Sequence, residues 1–245
     1  DDPVTGTGRG TGRRAGVSCL FIGHFAVAFA AKRIAPTVSL GTLFLAAQLA
    51  DLIWPVLVLR GIEIVAIRPG ITAMTPLDFI HYPYSHSMLA LAAWSVLLGG
   101  AYLLRHRPAA TAALVIAAVA LSHWLLDVIS HRPDMPLTLT GPARLGLGLW
   151  NSIPATIVVE GLMFAAGVAL YARGTAASNG IGRNGLRALV AFLAVVYFAS
   201  AFGPPPPSPA AVAWTAQAIW LLVAWAYWVD RNRSPVRFGT AEAMA

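Results

Sequence analysis

Long apolar stretches, separated by short polar segments, dominate the chain. Seven of them approach the roughly 20 mostly apolar residues that a membrane-spanning helix needs. They lie near residues 17–31, 38–59, 86–104, 109–130, 152–171, 186–203 and 209–229. The pattern predicts an all-α integral membrane protein, a helical bundle of about seven transmembrane helices that forms a single domain over residues 17–230.

The segments outside these stretches differ in character. Residues 1–16 are mainly Gly, Thr and Arg, which predicts a disordered tail. Residues 231–245 form a polar C-terminal tail, and we expect Asp230, where this charged end begins, to be solvated. Residues 60–85 and 131–151 mix apolar side chains with Pro and charge, so we expect two ordered loops outside the membrane.

The composition excludes several classes of protein. Of the 245 residues, 58% are hydrophobic and 11% are charged, whereas about a quarter of the residues of a soluble domain are charged. The net charge of +7 would suggest nucleic acid as the partner of a soluble protein. Here the Arg residues lie between apolar stretches, so we expect the lipid bilayer as the partner and no nucleic acid. The single Cys19 excludes an internal disulfide and a cysteine-based zinc site.

Basic residues are distributed unevenly between the two sides that seven spans define. One side carries ten Lys and Arg residues, and the other carries four, or seven with the N-terminal tail. Because cytoplasmic loops are enriched in Lys and Arg, we predict a cytoplasmic C-terminus and both long loops on the opposite face. The ten are Lys32, Arg33, Arg105, Arg107, Arg173, Arg183, Arg187, Arg231, Arg233 and Arg237, and the four are Arg60, Arg68, Arg132 and Arg144.

Ionisable side chains within or beside the apolar stretches gather at one predicted depth. Such residues are costly in a bilayer and usually face the bundle interior or a wet cavity, so each is a candidate functional residue. His123 and Asp127 are four positions apart and share a helix face. They either bind one metal ion or form a pair in which Asp127 orients the imidazole. If this helix continues to Arg132, His131 lies on the same face. The other candidates are His24, Asp51, His81, His86, Asp134 and Glu160.

The donor types of this set favour a divalent metal ion. Histidine and carboxylate ligands without thiols suit zinc, manganese or non-haem iron, and an imidazole-rich site facing an oxidising exterior favours zinc. A bound ion would lower the pKa of a water molecule toward neutrality. A carboxylate that is not a ligand, Glu160 or Asp134, would then act as the general base. The predicted ligands are His123 and Asp127, together with His81, His86, Asp51, His24 and His131.

Four short elements between residues 23 and 154 match those of a known family in type and order. They are His24, Leu49-Ala50-Asp51-Leu52, His81 with His86-Ser87, and Ser122-His123-Trp124-Leu125-Leu126-Asp127. These are similar to an early histidine, a Pro-Asp-Leu-Asp segment, a His-Arg-Gly-x-Thr-His-Ser element and a His-x-x-x-Asp helix. The chain thus resembles the bacterial multi-pass proteins described as membrane-bound metal-dependent hydrolases, which implies a metal site and a place in the bacterial plasma membrane. Ile53 and Tyr82-Pro83 depart from the family pattern, so one ligand or substrate contact is expected to be absent.

Two functions of different class fit these features. We expect metal-dependent hydrolysis of a lipid-borne or interfacial ester, phosphoester or amide at the extracytoplasmic face. The alternative is a transporter or permease that moves a metal ion or protons through the same side chains, and a polar network that only holds helices together is a third reading. A transporter needs polar groups near the midplane that both faces can reach, whereas residues 38–47, 97–104 and 109–118 contain no Asp, Glu, His or Lys. Their absence favours a site open to one face.

Overall fold

The computed structural model of the protein describes residues 22–236, which form mainly α-helices. The helices of this part of the chain are α1 (Ile22–Ala31), α2 (Leu40–Ala47), α3 (Leu49–Leu59), α4 (Pro83–His86), α5 (Met88–Arg105), α6 (Ala110–Ser130), α7 (Ile153–Gly174), α8 (Gly180–Phe202), α9 (Pro209–Ala216) and α10 (Ile219–Arg231). Three short antiparallel strand pairs accompany them: β1 (Ile64–Ile67) with β2 (Leu77–His81), β3 (Met135–Pro136) with β4 (Arg144–Leu145), and β5 (Thr175–Ala177) with β6 (Arg233–Pro235). The predicted tail at residues 1–16, Cys19 and residues 237–245 lie outside the described residues.

Five helical segments are long and apolar enough to cross a membrane. They are α5, α6, α7, α8 and the 23-residue segment Pro209–Arg231, which consists of α9, α10 and the turn between them. Helices α2 and α3 bend by 53° where they meet at Gln48, and they make a sixth span if they count as one. The predicted helical membrane protein is therefore confirmed. The total of seven spans stays a prediction, because α1 has only ten residues.

Helix α1 lies at the centre of the bundle. Eight of its ten residues are buried, and it packs against α7, α2 and α6. Gly167 allows α7 to approach α1 closely, because a Cβ atom at this position would overlap the backbone of Ala26. Phe29 packs edge-on against Phe44 of α2 with ring centroids 5.1 Å apart. This packing holds the side chain of His24 inside the protein, away from lipid.

The two predicted loops are ordered and meet at one end of the bundle, which we call the loop end. Residues 60–85 contain the β1–β2 hairpin, and residues 131–151 contain β3 and β4. The backbone N–H of Met74 donates to the carbonyl of Trp150 at 2.9 Å, which joins the two loops. Ser87 then caps α5 by accepting a hydrogen bond from the N–H of Ala90 at 3.1 Å. The cap starts α5 directly after His86, so the loop delivers this histidine to the mouth of the bundle.

The opposite end of the bundle contains a buried ion pair. Lys32 Nζ donates to Asp230 Oδ2 at 2.6 Å, and this oxygen also accepts from the backbone N–H of Leu40 at 3.0 Å. Tyr171 donates its hydroxyl to the other oxygen at 2.8 Å. The expectation that Asp230 is solvated is therefore wrong: its carboxylate is buried because a lysine ammonium enclosed at this end requires a counter-ion.

Candidate metal centre

Five His and Asp side chains from four helices converge near the loop end. They are His24 of α1, Asp51 of α3, His86 of α4, and His123 and Asp127 of α6, and we call them the His/Asp cluster. One ligand atom from each of His24, Asp51 and His123 lies within 4.8 Å of the other two, and the same holds for His86, His123 and Asp127. His123 belongs to both groups. All five residues were predicted ligands, and the structure brings them together although they come from distant parts of the chain.

The imidazole of His123 is oriented by a break in the helix opposite it. Helix α2 ends at Ala47, so the carbonyl of Ala47 lies at the end of the helical hydrogen-bond ladder. His123 Nδ1 donates to the carbonyl of Ala47 at 2.7 Å, so a neutral ring carries its lone pair on Nε2. This Nε2 is buried and makes no hydrogen bond with the described residues. It faces Oδ2 of Asp127 at 3.3 Å and Oδ1 of Asp51 at 3.9 Å.

A chain of hydrogen bonds that ends at Glu63 orients His86. Ser85 Oγ donates to Glu63 Oε2 at 2.6 Å, and it therefore accepts from Nδ1 of His86, also at 2.6 Å. A neutral His86 thus carries its lone pair on Nε2, which lies 3.5 Å from Asp51 Oδ1 and 3.9 Å from Asp127 Oδ2. Both histidines fix Nδ1 in a hydrogen bond and direct Nε2 at the same two carboxylates, which is the usual arrangement of metal-binding histidines.

Glu63 is a site residue that the sequence reasoning missed. Its side chain is 1% exposed, and it accepts the backbone N–H groups of Tyr84 and Ser85 at 2.8 and 2.9 Å. In the β1–β2 hairpin Ile64 pairs with His81, and this pairing brings the adjacent Glu63 close to α4. The only signal in the sequence is a lone carboxylate between two isoleucines, and nothing local connects it to a histidine more than twenty positions away.

His24 orients Asp127, one of the two carboxylates of the cluster. Its Nε2 lies 3.1 Å from Oδ1 of Asp127, and its ring stacks on that of His123 with centroids 3.7 Å apart and an interplanar angle of 4°. The hydrogen bond through Oδ1 turns Oδ2 of Asp127 toward His123 and His86. His24 therefore positions a carboxylate that faces both Nε2 atoms.

A second polar network lies beside the cluster, in the loop that follows α6. Nδ1 of His131 lies 3.0 Å from Oδ1 of Asp134, and the hydroxyl of Tyr82 donates to the same oxygen at 3.0 Å. Arg132 donates from Nε to Oδ2 of Asp134 at 2.8 Å and also contacts Asp78. Asp134 therefore receives three side-chain hydrogen bonds, and its bond to Nδ1 leaves the lone pair of a neutral His131 on Nε2.

The surroundings of Asp134 keep it ionised. Burial acts to raise its pKa, but hydrogen bonds and charge from His131 and Arg132 outweigh burial, and the pKa lies below the ordinary value. Burial and the adjacent Asp134 raise the pKa of Tyr82 well above its ordinary value, so the phenol stays a donor. Asp134 is thus a fixed acceptor at neutral pH and holds His131 in one orientation.

His131 reaches the site by a different route from the predicted one. A helix that continued to Arg132 would place it on the same face of α6 as Asp127, but α6 ends at Ser130 and His131 has an extended backbone with φ −68° and ψ 153°. The condition for that placement is not met, because the chain leaves the helix before Arg132. His131 belongs to neither ligand group found in residues 22–236. Its ring lines the cavity described below, beside Trp150 at a centroid distance of 4.3 Å.

Two other predicted residues lie apart from the cluster. His81 ends β2 with a half-buried side chain whose ring is 6.0 Å from that of Tyr84, and neither ligand group of the described residues includes it. Glu160 is 0% exposed within α7, and it is not among the residues that line the cavity. Among the described residues, neither side chain therefore belongs to a ligand group of the cluster or to the cavity lining.

A cavity of about 380 Å³ extends from the cluster into the bundle. This volume is within the range of small-molecule binding sites. Its polar end is lined by His24, Asp51, His86, Asp127 and His131, with Trp54, Phe79 and Trp150 beside them. Its other end is lined mainly by apolar side chains of α8, α9 and α10. Four residues of the His/Asp cluster, all except His123, thus line a chamber whose other walls are mainly apolar.

Comparisons of the chain with family models, with curated proteins and with solved structures find no match. The resemblance to the membrane-bound metal-dependent hydrolases therefore rests on the sequence motifs. Each of the four motif elements contributes at least one residue to the cluster, and among their His and Asp residues only His81 lies outside both ligand groups of the described residues.

Proposed function

We propose that this protein is a membrane-embedded, divalent-metal-dependent hydrolase that acts on a lipid-borne or interfacial ester, phosphoester or amide. The observation that carries the proposal is the paired orientation of His86 and His123. Each imidazole has its Nδ1 fixed and its Nε2 directed at Asp51 and Asp127. The family resemblance supports the same conclusion.

The cluster fits a zinc ion by its chemistry. In a neutral His123 the buried lone pair of Nε2 faces two carboxylates, an arrangement that costs free energy unless an ion or a ligand satisfies it. The expected ligands are His86, His123 and Asp127, with Asp51 or His24 completing the set. When bound, the ion supplies Lewis acidity toward a carbonyl or phosphoryl oxygen.

The orienting partners of His86 provide a first test of this metal centre. Glu63→Gln and Ser85→Ala should each weaken zinc binding by roughly 10–100-fold, the usual effect of losing a group that orients a ligating histidine. Zinc affinity is measured by competition with a chromophoric chelator. Ser95→Ala is the matched control, because Ser95 is also buried and, within residues 22–236, its hydroxyl donates to the carbonyl of Leu91 in its own helix. Unchanged affinity in both test variants would contradict the assignment of His86.

The Asp134–His131 pair is the proposed general base. His131 lines the cavity, and Asp134 holds its Nδ1 at 3.0 Å, so Nε2 is the atom that accepts a proton from water or substrate. Asp134 acts here as a positioning residue. Of the carboxylates expected to serve as the base, this assignment favours Asp134, acting through His131, over Glu160.

We place the site at the extracytoplasmic face of a bacterial plasma membrane. The excess of basic residues expected on the C-terminal side supports this orientation. The loop end, which carries the cluster, lies opposite the end that contains Lys32 and Asp230. Substrate would thus meet the cluster from the outer leaflet.

The proposal is tested with the full chain in sealed vesicles, sorted by protease access to a C-terminal tag. Fluorescent phospholipid esters, a phosphatidic acid and an N-acyl amide are offered in the leaflet opposite the tag. We expect zinc-dependent product formation from at least one class, lost with a chelator and restored by zinc. Zinc or proton flux without any product would establish the transporter instead. Turnover only from the leaflet on the tag side would contradict the orientation.

A further inference from the structure

We propose that the apolar part of the cavity binds a hydrocarbon chain of the lipid substrate, and that this chain enters sideways from the bilayer between α8 and the α9–α10 segment. The inference rests on the proposed function, since it places the scissile group of the lipid at the His/Asp cluster. It also identifies the substrate class as a lipid with at least one long chain.

The wall of the cavity is continuous with the lipid-facing surface of the protein. Phe192 of α8 and Leu221 of α10 both line the cavity, yet their side chains are 45% and 72% exposed. Thr215 and Ala218 also line it and are exposed. These residues belong to helices that can cross the membrane, so an exposed side chain here faces hydrocarbon. The cavity therefore communicates with the bilayer core.

The backbone next to this opening is irregular. Helix α9 ends at Ala216 and α10 begins at Ile219, and the intervening turn uses tight hydrogen bonds such as Ala218 N–H to the carbonyl of Thr215 at 3.0 Å. Gln217 and Ala218, the two residues between the helices, keep right-handed helical backbone angles, so the chain tightens here while its backbone groups stay paired. The junction carries Ala218, which lines the opening.

The rest of the cavity lining combines apolar side chains with a few polar groups, which suits an amphiphilic ligand. Deeper in the chamber, Val212, Ile219 and Leu222 are buried and apolar. Trp54 and Trp225 also line it, and each has a buried indole N–H without a hydrogen-bond partner among the described residues. A lipid supplies both requirements, since its chain covers the apolar wall and its ester or phosphate oxygens accept hydrogen bonds from indole N–H groups. A free ion or small headgroup would leave the apolar wall uncovered.

The test uses photolabelling in vesicles of phosphatidylethanolamine and phosphatidylglycerol that contain a phospholipid with a diazirine in its acyl chain. Exposed residues on every helix will be labelled by bulk lipid, so the informative sites are buried ones. We expect labelling of Val212 and Leu222, which are 2% and 6% exposed. In Ala218→Trp, where the indole occupies the opening, labelling of these two residues should fall by roughly tenfold, the effect of losing about two buried methylene groups.

Val195→Trp is the matched control, because Val195 is also lipid-exposed (65%) but does not line the cavity. It should keep the wild-type labelling. Thr215→Trp repeats the block at a second position, and a monodisperse elution profile with an unchanged helical circular dichroism spectrum shows that each variant is folded. Labelling restricted to exposed residues, or equal labelling of Val212 and Leu222 in all variants, would overturn the inference.

The same measurement separates this inference from the proposed function. Buried labelling that is blocked by Ala218→Trp supports the chain-binding chamber even if no lipid is hydrolysed, in which case only the hydrolase proposal fails. Hydrolysis without labelling of the buried residues would support the hydrolase proposal and overturn the chain-binding chamber. A third result that would overturn the inference is equal turnover of short-chain and long-chain esters by the wild type and by Ala218→Trp.

Discussion

The His123→Ala protein should fold but lose its zinc. His123 is the residue shared by both ligand groups of the cluster, and its Nε2 faces two carboxylates. Because altering an outer orienting group already lowers metal affinity 10–100-fold, we expect removal of this ligand to lower it by more than about 100-fold. The measurement is zinc content by elemental mass spectrometry on protein purified in detergent.

Two further variants complete this experiment. His86→Ala should lose zinc in the same way, whereas His81→Ala, which changes a histidine outside both ligand groups, should retain it. A monodisperse elution profile and an unchanged helical circular dichroism spectrum distinguish loss of metal from loss of fold. Wild-type zinc in both His86→Ala and His123→Ala would show that the metal is bound elsewhere or not at all.

The second large effect concerns turnover with the metal in place. His131→Gln should keep zinc but reduce hydrolysis by roughly 10²–10⁴-fold, the usual contribution of a general base. Asp134→Asn should reduce it too, because the amide no longer holds Nδ1 of His131 as a charged acceptor. The measurement is the initial rate on the lipid substrate, with zinc content determined on the same samples.

Glu160→Gln identifies which predicted base is used. The change keeps the size of a fully buried side chain that does not line the cavity, so we expect zinc content and turnover close to wild type. The opposite pair of results, a large loss in Glu160→Gln and none in His131→Gln, would transfer the role to Glu160.

The parts of the fold that depend on local pattern were predictable. Apolar stretches of about 20 residues marked the long helices, and the four-residue spacing of His123 and Asp127 correctly put both on one face of α6. His24, Asp51 and His86 were predicted at the same depth in the membrane as this pair, and the structure places them near it. Each of these inferences needs only the period of a helix and the thickness of a membrane.

The contacts that were missed depend on distant parts of the chain. Glu63 reaches His86 through the β1–β2 hairpin, and Asp230 reaches Lys32 through the packing of α10 against α2. Periodicity carries no information about such pairs. The end of α6 was misplaced for another reason: Pro133 marks where a helix must stop, but α6 ends three residues earlier.

The ion pair between Lys32 and Asp230 supports the His/Asp cluster from the far end of the bundle. Its carboxylate connects the end of α1 to the first residue of α2, through Lys32 and the N–H of Leu40. Eight residues separate Lys32 from His24, about 12 Å of helix at 1.5 Å per residue, and α2 covers a similar distance before the carbonyl of Ala47. The two antiparallel helices are therefore tied together at the end remote from the cluster. A change that breaks this ion pair would loosen the end of α1 and the start of α2 at once, and with them both His24 and the carbonyl that orients His123.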